Sequence, residues 1–454
     1  MVTEHITRRR ALQAIGAAGL AGAAGCLGGG GTETGTGTDA VSGTVSIGAL
    51  QPLSGDLEYY GNQGLWGFLS GLAYRADDDP PAEVSTGTTT FSVGEVDYEL
   101  HVRDTKFTAD EAQSLATDLV EDEGVDLLYG ASSSGAARLI ITNVVEPSGV
   151  PYMVGPAAAA NITSSSDYCS DLVFRANENT AMDARSGGAY VANETDVDSV
   201  YLFGADYSFG RAVVNNYRTV LEANGVDIVG ERFVKRGYKE WDGLLENAEE
   251  AGAGGIVGGF TVATLPAMFR AILSGDYSFR AFGGFATLIT NTVVGQTMQS
   301  VLGEPLTEEK INDSNIGPFT TRYHWNQYDN DINDAFVDSY TSAYGTVPDL
   351  FTSGAFTAAS AIDQAVGEAG STEGGDVADA LVGMTVEDTP KGEGGYTFQE
   401  YNNQARSEMT VADVVPTTDE WADSWTAPVM PSEPRSRIDA AQATIPEEDV
   451  DCSL

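Results

Sequence analysis

From residue 44 onward, short apolar runs alternate with stretches whose apolar positions recur every three or four residues, so strands and helices take turns along the chain. Residues 45–50 (Val-Ser-Ile-Gly-Ala-Leu) predict a first strand, followed by a loop and a helix reaching about Arg75. Val96, Tyr98, Leu100 and Val102 alternate with polar residues as a strand. Thr108-Ala109-Asp110-Glu111 then reads as a capping box opening a helix that carries Ala112, Leu115 and Leu119. The buried-looking run 125–129 is the next strand, a helix over 134–145 stops near Pro147, and 150–154 is strand again. Such alternation predicts a doubly wound parallel sheet.

A second unit of the same rhythm begins after Phe174-Arg175, with strands over 199–203, 226–234 and 255–260 and helices over about 209–224, 241–252 and 263–273. Helices at about 331–344 and 350–366, and a strand pair near 395–415, read as pieces returned to one unit or the other. With 454 residues, the chain exceeds one ordinary core and suits two α/β lobes.

Charge narrows the partners. Lys plus Arg number 23 against 67 Asp plus Glu, a net charge of −44, which repels nucleic acid and anionic lipid. Hydrophobic residues still make up 42%, so the acids decorate a folded surface and do not signal disorder. Only five of the bases are Lys, and a Lys-poor, carboxylate-rich surface stays solvated when molar salt screens charge, which points to a salt-loving host. At the start, Arg8, Arg9 and Arg10 precede a small-residue apolar run too short to span a bilayer, the pattern of a cleaved export signal of twin-arginine type. Ala23-Ala24-Gly25-Cys26 resembles a lipobox, in which the Cys26 thiol takes the lipid, and the Gly/Thr-rich stretch behind it suits a flexible tether. Apart from Cys26, Cys169 and Cys452 remain, and in an exported protein the two can pair or stay free.

Several short segments, taken in order, carry a family resemblance. They are Gly48-Ala49-Leu50-Gln51-Pro52-Leu53-Ser54-Gly55 with Tyr60-Gly61, Arg103-Asp104-Thr105, Gly130-Ala131-Ser132-Ser133-Ser134-Gly135, Val154-Gly155-Pro156-Ala157-Ala158-Ala159-Ala160, Phe174-Arg175, Asp206-Tyr207-Ser208-Phe209-Gly210 and Tyr344-Gly345-Thr346-Val347-Pro348-Asp349. Together they resemble the type I periplasmic binding proteins of branched-chain amino-acid ABC transporters, in a salt-adapted, haloarchaeal lipoprotein form. The resemblance implies two doubly wound lobes joined by a three-stranded hinge, a Venus flytrap, with crossings near Asn177, Thr321 and Pro390. It divides the chain into a signal peptide (1–25), a lipidated tether (26–43), lobe 1 (44–177 with 322–389), lobe 2 (178–321 with 390–431) and a C-terminal tail (432–454).

It also implies a ligand site. Ser132 to Gly135 sit where a parallel strand ends and a helix begins, so hydroxyls and free N–H groups converge on a positive helix terminus that suits a carboxylate; a plain helix cap at Ser134 is the competing explanation. Ser134 and the backbone of Ala157 and Ala159 match the family's carboxylate contacts, with Ala159 lacking the usual hydroxyl. Tyr60, Phe209, Phe260 and Phe285 match the pocket wall, each also explicable as core packing. Phe285 stands where amino-acid binders place an acid for the ammonium, and Asp206 is the nearest substitute, so the expected solute is an amino acid or a related apolar or aromatic acid or amide.

No cofactor, metal or catalytic residue is expected: His5, His101 and His324 are scattered, and no Cys or His falls at ligand spacing. The expectation is a monomer that delivers its solute to the permease subunits of an ABC importer. A chemotaxis transducer is the alternative partner, and an exported hydrolase the remaining one.

Overall fold

The computed structural model describes residues 41–55, 58–284, 287–452 and 454. The expected signal peptide, Cys26, the tether as far as residue 40 and Phe285 lie outside these residues.

In the first lobe β1 (Ser42–Gln51), β2 (Gly87–Val93), β3 (Glu95–Asp104), β4 (Leu127–Gly130), β5 (Tyr152–Val154) and β6 (Val173–Arg175) form one sheet, ordered β2-β3-β1-β4-β5-β6. All neighbours are parallel except β2, which folds back on β3 through Gly94. This hairpin was not expected, because Gly-Thr-Thr-Thr-Phe-Ser-Val has no buried side to mark it: every residue is exposed or half-buried. Val45, Ile47 and Ala49 face α1 (Glu58–Ala76) and its Leu65, Phe68, Leu69 and Leu72, whereas Leu50 faces α2 (Ala109–Asp118) and α3 (Ser134–Ile140) on the other side. Burial of each of these Val, Ile, Leu and Phe side chains contributes about 1.5–3 kcal/mol.

Two local signals act differently from expectation. Thr108 holds the cap position of α2, but its hydroxyl makes no cap bond and donates to the Thr105 carbonyl at 3.4 Å instead. After α3 the helical run widens over Ile141–Val145 and passes through Pro147, ending only at Gly149, which adopts the left-handed conformation.

The second lobe repeats the plan with β7 (Ser199–Ala205), β8 (Asp227–Val234), β9 (Gly255–Gly259) and β10 (Arg280–Gly283), all parallel in the order β10-β9-β7-β8. Its helices are α4 (Ser208–Ala223), α5 (Asp242–Glu250), α6 (Leu265–Ser274) and α7 (Leu288–Leu302), of which α7, like β10, lay outside the expected pattern. In each sheet the strand order reverses at one place, between β1 and β4 and between β7 and β9. Connections leave such a switch point on opposite faces and open a crevice at the carboxyl ends of the strands.

The chain then returns through β11 (Phe319–Thr321), α8 (Asp331–Tyr344) and α9 (Thr352–Ala369). Helix α9 packs on α1 closely enough that a Cβ at Gly67 or Gly71 would lie 2.7 or 2.4 Å from the Thr352 or Phe356 carbonyl. β12 (Thr385–Val386), β13 (Tyr396–Phe398) and β14 (Ala405–Ser407) form a small antiparallel sheet, and β15 (Met409–Pro416) pairs with β11 and with β16 (Val429–Ile438). Tyr396, Phe398 and Ala405 sit in the first lobe's core, so residues 390–407, assigned to lobe 2 from the sequence, pack with lobe 1, and the third crossing falls near Glu408. The stretch read as a tail contains the second half of β16, and Cys452 is joined to Cys169 (S–S 2.10 Å).

At the crossings a buried polar cluster ties the strands. Lys391 Nζ lies 2.7 Å from Glu178 Oε1, each side chain 1% exposed, and Oε1 also accepts from Tyr396 and Ser407.

Candidate functional site

The two switch points face each other across a cleft of about 980 Å³, mouth included. From the first lobe it receives Tyr60 at the start of α1, the turn Ser132-Ser133-Ser134 after β4, and Pro156 and Ala158 after β5. From the second come Tyr207 and Phe209 after β7, Phe260 and Thr261 after β9, and Tyr217 of α4. The lobes touch at the rim, where Arg138 donates to Ser208 Oγ at 3.4 Å.

The serine turn divides its work. Ser132 Oγ donates to Gln51 Oε1 at 2.8 Å, and Ser133 Oγ caps α3 by accepting from the Ala136 N–H at 3.4 Å. The helix cap is therefore Ser133, not Ser134. Ser134 Oγ accepts from the Ala159 N–H at 3.1 Å, which leaves its own proton free to donate. As the first residue of a helix, Ser134 also presents a backbone N–H with no intrahelical acceptor.

Ala157 and Ala159 are placed behind the cleft wall, not in it. The Ala157 N–H donates to the Ala131 carbonyl at 3.0 Å and the Ala159 N–H to Ser134, while both carbonyls accept from Arg175 Nη1 at 2.9 and 2.8 Å. Their backbone groups are spent, both residues are fully buried, and the wall is formed by Ala158 between them. Asp206 also departs from expectation: it is exposed, pairs with Arg211 at 2.5 Å and does not line the cleft. Tyr60, Ser134, Phe209 and Phe260 do line it.

The floor holds a pair that sequence reasoning missed. Arg322, just after β11, donates to Asp183 Oδ1 at 2.9 Å and Oδ2 at 2.5 Å, and to the Glu178 carbonyl at 2.9 Å. Burial works against the guanidinium's charge, but Asp183 outweighs it and holds the pKa above its ordinary value. Among the described residues Asp183 is the only acid in the lining, and Arg322 neutralises it. Around this pair stand Tyr217, whose buried hydroxyl has no hydrogen-bond partner among the described residues, and Phe351, whose ring lies edge-on to Tyr60 at 5.7 Å. Burial pushes the Tyr60 and Tyr217 phenols well above their usual pKa, so both are neutral donors. No local pattern marks Asp183 or Arg322, since they are 139 residues apart and meet only because two crossings run side by side.

What this arrangement does chemically is bind: hydroxyls and a helix start on one wall, rings above and below, and a neutral polar floor. Comparison with known proteins agrees. The family profile described as periplasmic binding protein matches residues 44–419. Among solved structures, an ABC-type branched-chain amino acid transporter protein from Rhodopseudomonas palustris CGA009 aligns with TM-score 0.68 and 22% identity, covering 88% of this chain and 98% of that one. A leucine binding protein from Thermotoga maritima aligns with TM-score 0.67 and 18% identity over 87% and 99% of the two chains. An R. palustris ABC transporter solute binding protein in complex with 4-hydroxybenzoate aligns with TM-score 0.68 and 15% identity over 89% and 98%. No curated protein matches. With its cleft between two switch points and a profile match over most of its length, the chain belongs to the periplasmic binding protein family.

Proposed function

We propose that this protein captures a small carboxylate that carries no ammonium group, an apolar or aromatic acid, and delivers it to the permease of an ABC importer. The observation that carries the reading is the cleft's charge balance. Its single described acid is already paired with Arg322, so an ammonium would be buried without a counter-charge, a cost of several kcal/mol. A carboxylate instead meets Ser134 and the start of α3, and an apolar body meets Tyr60, Phe209, Phe260 and Phe351. The solved relatives include a leucine binding protein and one in complex with 4-hydroxybenzoate, so the fold accommodates both chemistries. We place the protein on the extracellular face, exported through its paired arginines and held by lipid on Cys26.

The test is the shift in melting temperature with leucine, valine, benzoate, 4-hydroxybenzoate, phenylacetate and their amides. A ligand at one hundred times its Kd stabilises by about 2.7 kcal/mol, enough to read as several degrees. Stabilisation by the acids without an ammonium is expected; selective stabilisation by leucine or valine refutes the reading.

A further inference from the structure

Beyond the solute cleft, one carboxylate of the first lobe grips the start of a second-lobe helix. Asp349, between α8 and α9, is fully buried. Its Oδ2 accepts from the Tyr59 hydroxyl of α1 at 2.5 Å and from the Leu288 N–H, the first of α7, at 2.7 Å. Helix α7 belongs to the second lobe, packing through Val294 and Met298 into the core that holds Phe203 and Ile256. The bond to Leu288 therefore exists only while the lobes are together.

The other oxygen is telling. Asp349 Oδ1 is buried and has no hydrogen-bond partner among the described residues. The titratable groups that face the carboxyl are Tyr59 and Tyr60 from α1, Tyr323 after β11 and Tyr340 from α8, with no Arg, Lys or His among them. An ionised carboxylate here would lack a counter-charge and leave one oxygen stripped of donors. A neutral carboxylic acid removes the unpaired charge, with Oδ2 acting as the carbonyl that accepts both bonds. Consistently, burial raises the Asp349 pKa to about 7, against the opposing pull of the Tyr59 and Leu288 bonds.

We propose that Asp349 is a proton-linked latch between the lobes, taking up a proton as they close, so that the closed form is favoured at mildly acidic pH and loosened at alkaline pH. The inference rests on the two-lobe closure of the proposed function but not on which solute is bound. In the parted lobes Asp349 meets water and titrates in the usual carboxylate range. The closed form thus holds the proton more tightly, and the stabilisation is full in acid and lost as pH rises through about 7. Between about pH 6 and about pH 8 the closed-to-open ratio falls about tenfold. The facing tyrosines stay neutral over that span.

Small-angle X-ray scattering of the full chain with no added ligand, at about pH 6 and about pH 8, tests the latch. The wild type is expected to be the more compact at the lower pH. Asp349→Asn keeps an acceptor oxygen for Tyr59 and Leu288 but has no proton to exchange, so it stays compact at both. Asp349→Ala is extended at both, and because Asp349→Asn is nearly isosteric it keeps the test alive should the alanine variant fail to fold. A wild type with no pH response, an Asn variant that keeps the wild-type response, or an Ala variant as compact as the wild type in acid overturns the proposal. Since no solute is present, these outcomes are independent of the melting-temperature panel.

Discussion

Replacing Lys391 by Met removes one half of the buried ion pair at the chain crossings. Both side chains are 1% exposed and the charged atoms are 2.7 Å apart, a gross attraction of about 6 kcal/mol at an effective dielectric of about 20. Most of that offsets the cost of taking two charges out of water, so the net worth of the intact pair is small. The single substitution does not share this cancellation. It leaves the Glu178 carboxylate in the interior with only the neutral donors Tyr396 (2.6 Å) and Ser407 (2.9 Å), while Oε2 has no partner among the described residues. The expected loss is about 3–5 kcal/mol. Lys391→Met combined with Glu178→Gln removes both charges and is expected to recover most of it. Urea unfolding of the wild type, both single variants and the double variant closes the cycle and yields the coupling energy. A Lys391→Met variant within about 1 kcal/mol of the wild type, or a double variant costing the sum of the singles, refutes the reasoning. The same pair sets a sign in pH. Burial disfavours the Glu178 carboxylate, but Lys391 and Tyr396 outweigh it and hold its pKa below the ordinary value. Its contribution is therefore full above the usual carboxylate range and fades as acid protonates it.

Two further outcomes follow from single residues. Ser134→Ala leaves the Ala159 N–H buried without its acceptor, so a stability loss of about 1–3 kcal/mol and a drop of about tenfold in affinity for the stabilising acid are expected from thermal melts and ligand titration; a variant that loses neither would remove Ser134 from the site. His324 is fully buried, edge-on to Trp325 and Trp425, and burial lowers its pKa to about 3. Since the unfolded chain binds that proton near about pH 6.5, stability falls as pH drops from there toward the folded value; His324→Leu should flatten this acid limb, and an equal difference in urea midpoint between about pH 7 and about pH 4 in both proteins would contradict it.

Much of this architecture is written locally. The runs at 45–50 and 199–203, the alternation of Val96 to Val102 and the helices at 331–344 and 350–366 are legible because each element's apolar period reports which side it buries. The serine turn of the cleft is legible for the same reason, since strand end, hydroxyls and helix start are consecutive. Elements without a buried face, such as β2, leave no such record. The step from Ala157 and Ala159 to Ala158 is decided by where the Ala131 carbonyl and Ser134 Oγ sit, contacts that orient the peptides after β5 from another strand. Placing residues 390–407 depends on which core Tyr396 and Phe398 enter, and both lobes offer an apolar face. The Arg322–Asp183 floor and the Asp349 latch join positions far apart in sequence, so their chemistry exists only once the crossings and the lobes bring them within hydrogen-bond reach. Sequence alone thus determined the two-lobed α/β plan and one wall of the cleft, because those depend on neighbours along the chain. Tertiary structure decided the charge balance of the site and the grip between lobes, because burial and pairing of distant charged groups are properties of the assembled interior.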